Sequence, residues 1–154
     1  MPAEFLSEPL SLYSIPAVWV TLFAPMTLKF VTIQKLRGYN NVQPRANTSR
    51  VAADKNVPRE VAARIERMEG AHLNGNENFP LWVAAILAAN YAGLDNHTMN
   101  VTSIAYVCAR VLYNYIYINN ETSAQSWLRS LIFMGCTSLP MYLLFAAANK
   151  LRLV

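Results

Sequence analysis

EGAHLNGNENFPLW, residues Glu69–Trp82, passes from a polar string directly into an apolar segment with no turn signal between them. His72, Asn74, Asn76 and Glu77 are thus expected on the same helix as Phe79, Leu81 and Trp82. An ionisable group at the mouth of an apolar helix is costly if that helix enters a bilayer, and it persists mainly where something inside the protein pairs with it. Asn74 and Glu77, which share a helical face at i, i+3, are therefore the first candidates for a site.

The 154-residue chain is one domain's worth, with 54% hydrophobic and only 14% charged residues. That is apolar and charge-poor against soluble usage, and the natural reading is a small integral membrane protein. The net charge of +4 is uneven, since nine of the thirteen basic residues fall between Lys29 and Arg67 against three carboxylates, leaving that segment at about +6 and the rest at about −2. Such a cluster could suggest nucleic acid, but nucleic-acid patches sit on soluble folds. Positive loops between apolar spans instead mark the cytoplasmic side of a membrane protein.

Four spans are expected, at roughly 10–35, 70–93, 99–119 and 127–149, each near the ~20 residues that cross a bilayer. The basic segment 36–57, with Gly38 and Pro44, reads as a polar cytosolic loop, which puts both termini on the opposite side. Pro58 reads as a first-turn proline, and Val61, Ala62, Ile65, Met68 and Ala71 recur at helical spacing, so one helix is expected from Arg59 to Ala92. At 1.5 Å per residue that is ~50 Å, longer than a bilayer core, and its first turns protrude into the cytosol. Short later connections then give an antiparallel four-helix transmembrane bundle in a single domain, 1–154.

The acidic, proline-containing N-terminus has no convincing secretory cleavage site and reads as retained. Cys108 and Cys136, inside apolar runs, read as small buried hydrophobes. The sequons at Asn47, Asn96, Asn100 and Asn120 lie in the cytosol or tight against the membrane, and are expected to be unglycosylated.

By depth, Asn74 and Glu77, then Arg110, Tyr113 and Tyr117, then Arg129 all fall at the cytosolic ends of their spans. The last residues of the third span share a face at i, i+3, i+7, so two polar faces can meet at one cavity. A plainer reading also stands, in which Glu77 pairs with Arg110 structurally and the tyrosines form an interfacial belt. A lone His72 near a polar helix start is usually hydrogen-bonded, and a metal site would need further ligands at recognisable spacing. No Gly-rich phosphate loop, HExxH pattern or nucleophilic triad is present, so any chemistry uses these polar groups or a cosubstrate.

AHLNGNENFPLW, followed some thirty residues later by ARVLYNYIY, resembles the MAPEG family, the membrane-associated proteins in eicosanoid and glutathione metabolism. The resemblance implies a homotrimer with glutathione held between subunits near the cytosolic face of the endoplasmic reticulum. It implies that Asn74, Glu77, Arg110, Tyr113 and Tyr117 bind glutathione, with Lys35, Arg37 and Arg67 as basic counterparts for its carboxylates and His72 in support. It places Arg129 and Ser130 at the sulfur, with Tyr117 as a second catalytic group. Gly70 stands where many eicosanoid enzymes of that family carry arginine, which points away from a prostaglandin or leukotriene substrate.

The residue types suit that ligand independently: cations for two carboxylates, a carboxylate for the ammonium group, and an arginine with tyrosine hydroxyls to favour thiolate. The leading expectation is a membrane-bound glutathione transferase acting on a lipophilic electrophile, which could extend to peroxides, with glutathione and lipid as partners. Two alternatives remain: a glutathione-independent isomerase or cyclase using Glu77, Tyr113 or Tyr117 as acid or base, and a non-enzymatic membrane scaffold.

Overall fold

The computed structural model describes residue 4 and residues 6–153. Part of the N-terminal segment read as retained, residues 1–3 and 5, lies outside the described residues. The described residues form five α-helices and no strand: α1 (Ser14–Arg37), α2 (Asn47–Ala52), α3 (Arg59–Tyr91), α4 (Asn96–Ile118) and α5 (Ser123–Arg152). Single 3-10 turns precede α1 and α2.

Local chemistry sets the boundaries. α1 stops at Gly38, whose φ of 75° is left-handed backbone that glycine adopts without a Cβ penalty. α3 follows Pro58, which stands just outside the helix rather than in its first turn. It ends in a Schellman closure: Gly93 donates to the Asn90 carbonyl and Leu94 to that of Ala89, with Gly93 at φ 64°. Asp95 then caps α4 by accepting from the amides of His97 and Thr98. Those bonds, led by Thr98, hold its carboxyl below the usual aspartate range. Thr122 and Gln125 form a reciprocal capping box at the start of α5.

α3 and α4 occupy the middle, packed on each other, with α1 and α5 each packed against both. The main core forms where Trp82 of α3 stacks on Tyr106 of α4, centroids 4.0 Å apart and planes 5° from parallel. Ala85 and Ala89 keep the backbones close there, as small residues do between membrane helices. The Trp82 indole N–H donates to Ser14 Oγ at 3.1 Å, so the ring's one polar atom is satisfied.

The outer faces invert the soluble pattern. Val20, Phe23, Leu131, Met134 and Phe145 are exposed, while Lys29, Asn100, Arg110 and Asn114 are buried. Only two of the four expected spans meet the membrane criteria of length and apolarity, Ser11–Arg37 and Ser123–Arg152, with mean hydropathies of 1.4 and 1.8. α4 carries the inward polar residues Asn100, Ser103, Arg110 and Asn114, and α3 carries a charged first half and the polar string Asn74–Asn78.

Two expectations need correction. The segment 36–57 is not a plain polar loop, because it contains α2, held by Val51 in a small core with Ile33 and Ile65. Cys136 is buried as expected, but Cys108 is exposed. Asn47 is also buried, donating from Nδ2 to the carbonyls of Asn40 and Pro44.

Candidate functional site

A cleft of about 450 Å³ opens between α3, α4 and α5, lined by Asn74, Tyr113, Tyr117, Arg129, Ser130, Phe133 and Met134. Five of these seven are sequence candidates from three separate segments, brought to one opening. The volume lies within the range usual for small-molecule sites, about 300–1,000 Å³.

Arg110 forms the wall behind it. Only 1% exposed, it donates from Nη1 to Asn74 Oδ1 at 3.0 Å, and its Cζ stands 4.9 Å from the centre of the Tyr113 ring. It thus fixes Asn74 and Tyr113 without lining the cleft. The Arg110–Glu77 ion pair of the plainer reading does not form: Glu77 is exposed and enters no ion pair among the described residues. The carboxamide one turn earlier reaches the guanidinium instead.

Arg129 stands at the opening. Its Cζ lies 4.8 Å from the centre of the Tyr117 ring, and it has no carboxylate partner among the described residues. Tyr117 packs edge-on against Tyr113 with centroids 5.7 Å apart. Ser130 Oγ donates to the Ser126 carbonyl at 3.1 Å, which leaves its lone pairs for the cleft.

The remaining candidates lie elsewhere on the same chain. Lys35 is exposed in the last turn of α1, and Arg37 pairs with Asp54. Arg67 donates to the Ile118 carbonyl at 2.9 Å and stands 3.7 Å from Glu121. His72 binds the Leu22 carbonyl of α1 through Nδ1 at 2.8 Å and Asn76, one turn on in α3, through Nε2 at 3.0 Å, so both ring nitrogens are engaged.

Sequence reasoning missed Phe133 and Met134, whose only signal is their place one turn after Arg129 and Ser130. It also missed the buried pair Lys29–Glu69, at 3.2 Å, with Thr48 3.4 Å from the same ammonium. A lone cation inside the apolar run of α1 was its sign.

A guanidinium, two phenols, a serine oxygen and a carboxamide beside an apolar wall suit a ligand with acidic and amide groups that meets an apolar reactant. Together with the apolar outer faces, this defines a helical membrane protein with a polar cleft. The model of the MAPEG family matches residues 12–149, and the chain belongs to that family, which includes glutathione transferases as well as isomerases and synthases. No curated protein and no solved structure matches the chain.

Proposed function

We propose that the chain is a membrane-bound glutathione transferase that joins the glutathione sulfur to a lipophilic electrophile at the Asn74–Tyr117–Arg129 cleft. The observation that carries this reading is the convergence of Asn74, Tyr113, Tyr117, Arg129 and Ser130, from three helices, on one opening. Glutathione supplies the nucleophilic sulfur. Arg129, free of any carboxylate among the described residues, is the group that favours the anionic sulfur, and the Tyr117 hydroxyl is the donor beside it. Ser130, its proton directed at Ser126, accepts from ligand N–H groups. Asn74, locked by Arg110, orients the peptide part.

In this reading the four long helices are four spans of one bundle and the assembly is a homotrimer in the endoplasmic reticulum membrane, with the cleft facing the cytosol. The exposure of Glu77 and the placement of Lys35, Arg37 and Arg67 outside the cleft lining support a site shared between subunits, where a neighbour's copies complete it.

The test uses the purified protein with glutathione and 1-chloro-2,4-dinitrobenzene. Conjugation forms the sulfur–carbon bond, expels chloride and releases the thiol proton to water. Turnover that vanishes without glutathione supports the reading. A folded protein that neither binds glutathione nor conjugates it defeats the reading, and turnover of a hydrophobic metabolite without glutathione would favour an isomerase.

A further inference from the structure

At the opposite end of α4 lies a second recess, about 290 Å³, between the start of α1 and the start of α4. Its walls include Ala17, Ile104 and Val107, and no charged side chain lines it. Of its polar lining side chains, Ser14 is satisfied, donating to the Ser11 carbonyl and accepting from Trp82, and two more are buried there: Asn100, 3% exposed, and Ser103, 5% exposed.

Neither is satisfied. Asn100 Nδ2 donates both hydrogens, to the Leu6 carbonyl at 2.8 Å and the Glu8 carbonyl at 2.7 Å, which fixes the amide and leaves Oδ1 without a partner. Ser103 Oγ is likewise buried and unpartnered, although serines in helices commonly back-bond to the preceding turn. Buried polar atoms are overwhelmingly hydrogen-bonded, and leaving one unmade costs roughly 1–3 kcal/mol, so two in one recess call for a partner. At i, i+3 the two side chains stand ~5–6 Å apart at Cβ, a gap that one oxygen can bridge. It would donate to Asn100 Oδ1 and accept from Ser103.

We infer that this recess binds a neutral, single-chain membrane amphiphile with a hydroxyl head, the hydroxyl between Asn100 and Ser103 and the chain along Ala17, Ile104 and Val107. The absence of lining charge excludes a carboxylate or phosphate head, and the narrow space between two helices suits one alkyl chain. Ser103 and Tyr117 are fourteen residues apart on α4, ~21 Å at helical rise, so this site stands apart from the cleft and does not depend on its proposed chemistry.

Cys108, exposed and lining the same recess, reports occupancy, while Cys136 is buried. The full chain in phosphatidylcholine nanodiscs is alkylated with N-ethylmaleimide, and the rate at Cys108 is read by peptide mass spectrometry. Dodecan-1-ol is compared with its methyl ether and with dodecanoate at equal membrane concentration. Protection is expected to need about five-fold less alcohol than ether, as follows from one hydrogen bond, with dodecanoate weaker still. Ser103→Ala should weaken protection by alcohol and ether alike, since both oxygens accept from Ser103, while the alcohol's advantage, which comes from its donation to Asn100 Oδ1, persists and conjugation at the cleft stays unchanged. Equal protection by alcohol and ether, protection undiminished in Ser103→Ala, or no protection by any probe overturns the inference, and the recess is then a water pocket or an unspecific apolar slot.

Discussion

Arg110 and Arg129 make nearly the same contact, a guanidinium over a tyrosine ring at 4.9 and 4.8 Å, but in opposite settings. Arg110 is enclosed by α3 and α4 and spends a hydrogen bond on Asn74. Arg129 stands half-buried on α5 at the lip of the cleft, its remaining donors uncommitted. The comparison shows that the contact alone does not reveal a role: one cation is enclosed in the wall and the other stands at the opening, where the proposed ligand would meet it. Cation–π energy grows from about 0.5–1 kcal/mol when exposed to about 2 when desolvated, so the enclosed pair is the stiffer one.

The widest separation between them should come from Arg129→Ala. Loss of the charge beside the sulfur is expected to lower conjugation by roughly 10²–10³-fold, as for removal of a single transition-state donor, with little change in thermal stability. Steady-state kinetics and a melting curve in the same detergent check both halves. If stability falls as much as activity, the division of labour fails.

Arg110→Met should do the reverse. It removes the charged donor to Asn74, a hydrogen bond worth roughly 1.5–3 kcal/mol, so denaturation should come earlier and glutathione affinity fall with the loosened Asn74. Unchanged stability would mean that the enclosed pair is not structural.

Gly70 sharpens the comparison from the other side of Tyr117. A Cβ at Gly70 would lie 2.6 Å from the Tyr117 hydroxyl, so Gly70→Arg must displace the ring that Arg129 covers. Turnover should fall about ten-fold, on the scale of one hydrogen bond to a charged group, whereas Gly70→Ala needs only a small swing of the phenol end. The same contact shows what occupies the space a larger residue at position 70 would need: the Tyr117 phenol.

The smallest effect is a control away from both arginines. Asp95 has its carboxyl held below the usual range by Thr98, so its capping contribution is fully present above the unfolded value and is lost as pH falls through the lowered folded value. Asp95→Asn keeps an acceptor at the cap and should flatten the dependence of melting temperature on pH below about 4 without altering conjugation. A pH dependence equal to wild type would show that other carboxylates carry it.

Much of the fold was legible because it is local. Helix α3, Arg59–Tyr91, follows from Pro58 and the Val61–Ala71 periodicity, and the grouping of Asn74, Tyr113, Tyr117 and Arg129 follows from depth along the spans. Helix α2 was not legible, since six residues, NTSRVA, carry no amphipathic signal and Val51 is held by Ile33 and Ile65 from distant segments. The choice of Asn74 over Glu77 as the Arg110 partner was equally hidden, because it turns on a fraction of a helical turn. Phe133 and Met134 look like any lipid-facing residues until α5 is set against α4.

Lys29 also bears on how the chain is made. Its ammonium, 2% exposed within α1, is held by Glu69 from α3, a segment synthesised about forty residues later. Until α3 is made, that ammonium has no carboxylate partner, and a lysine near the end of a span reaches toward the interface instead. The buried setting of Lys29 is therefore complete only once α3 has been made, and the first and third helices are matched to each other by charge.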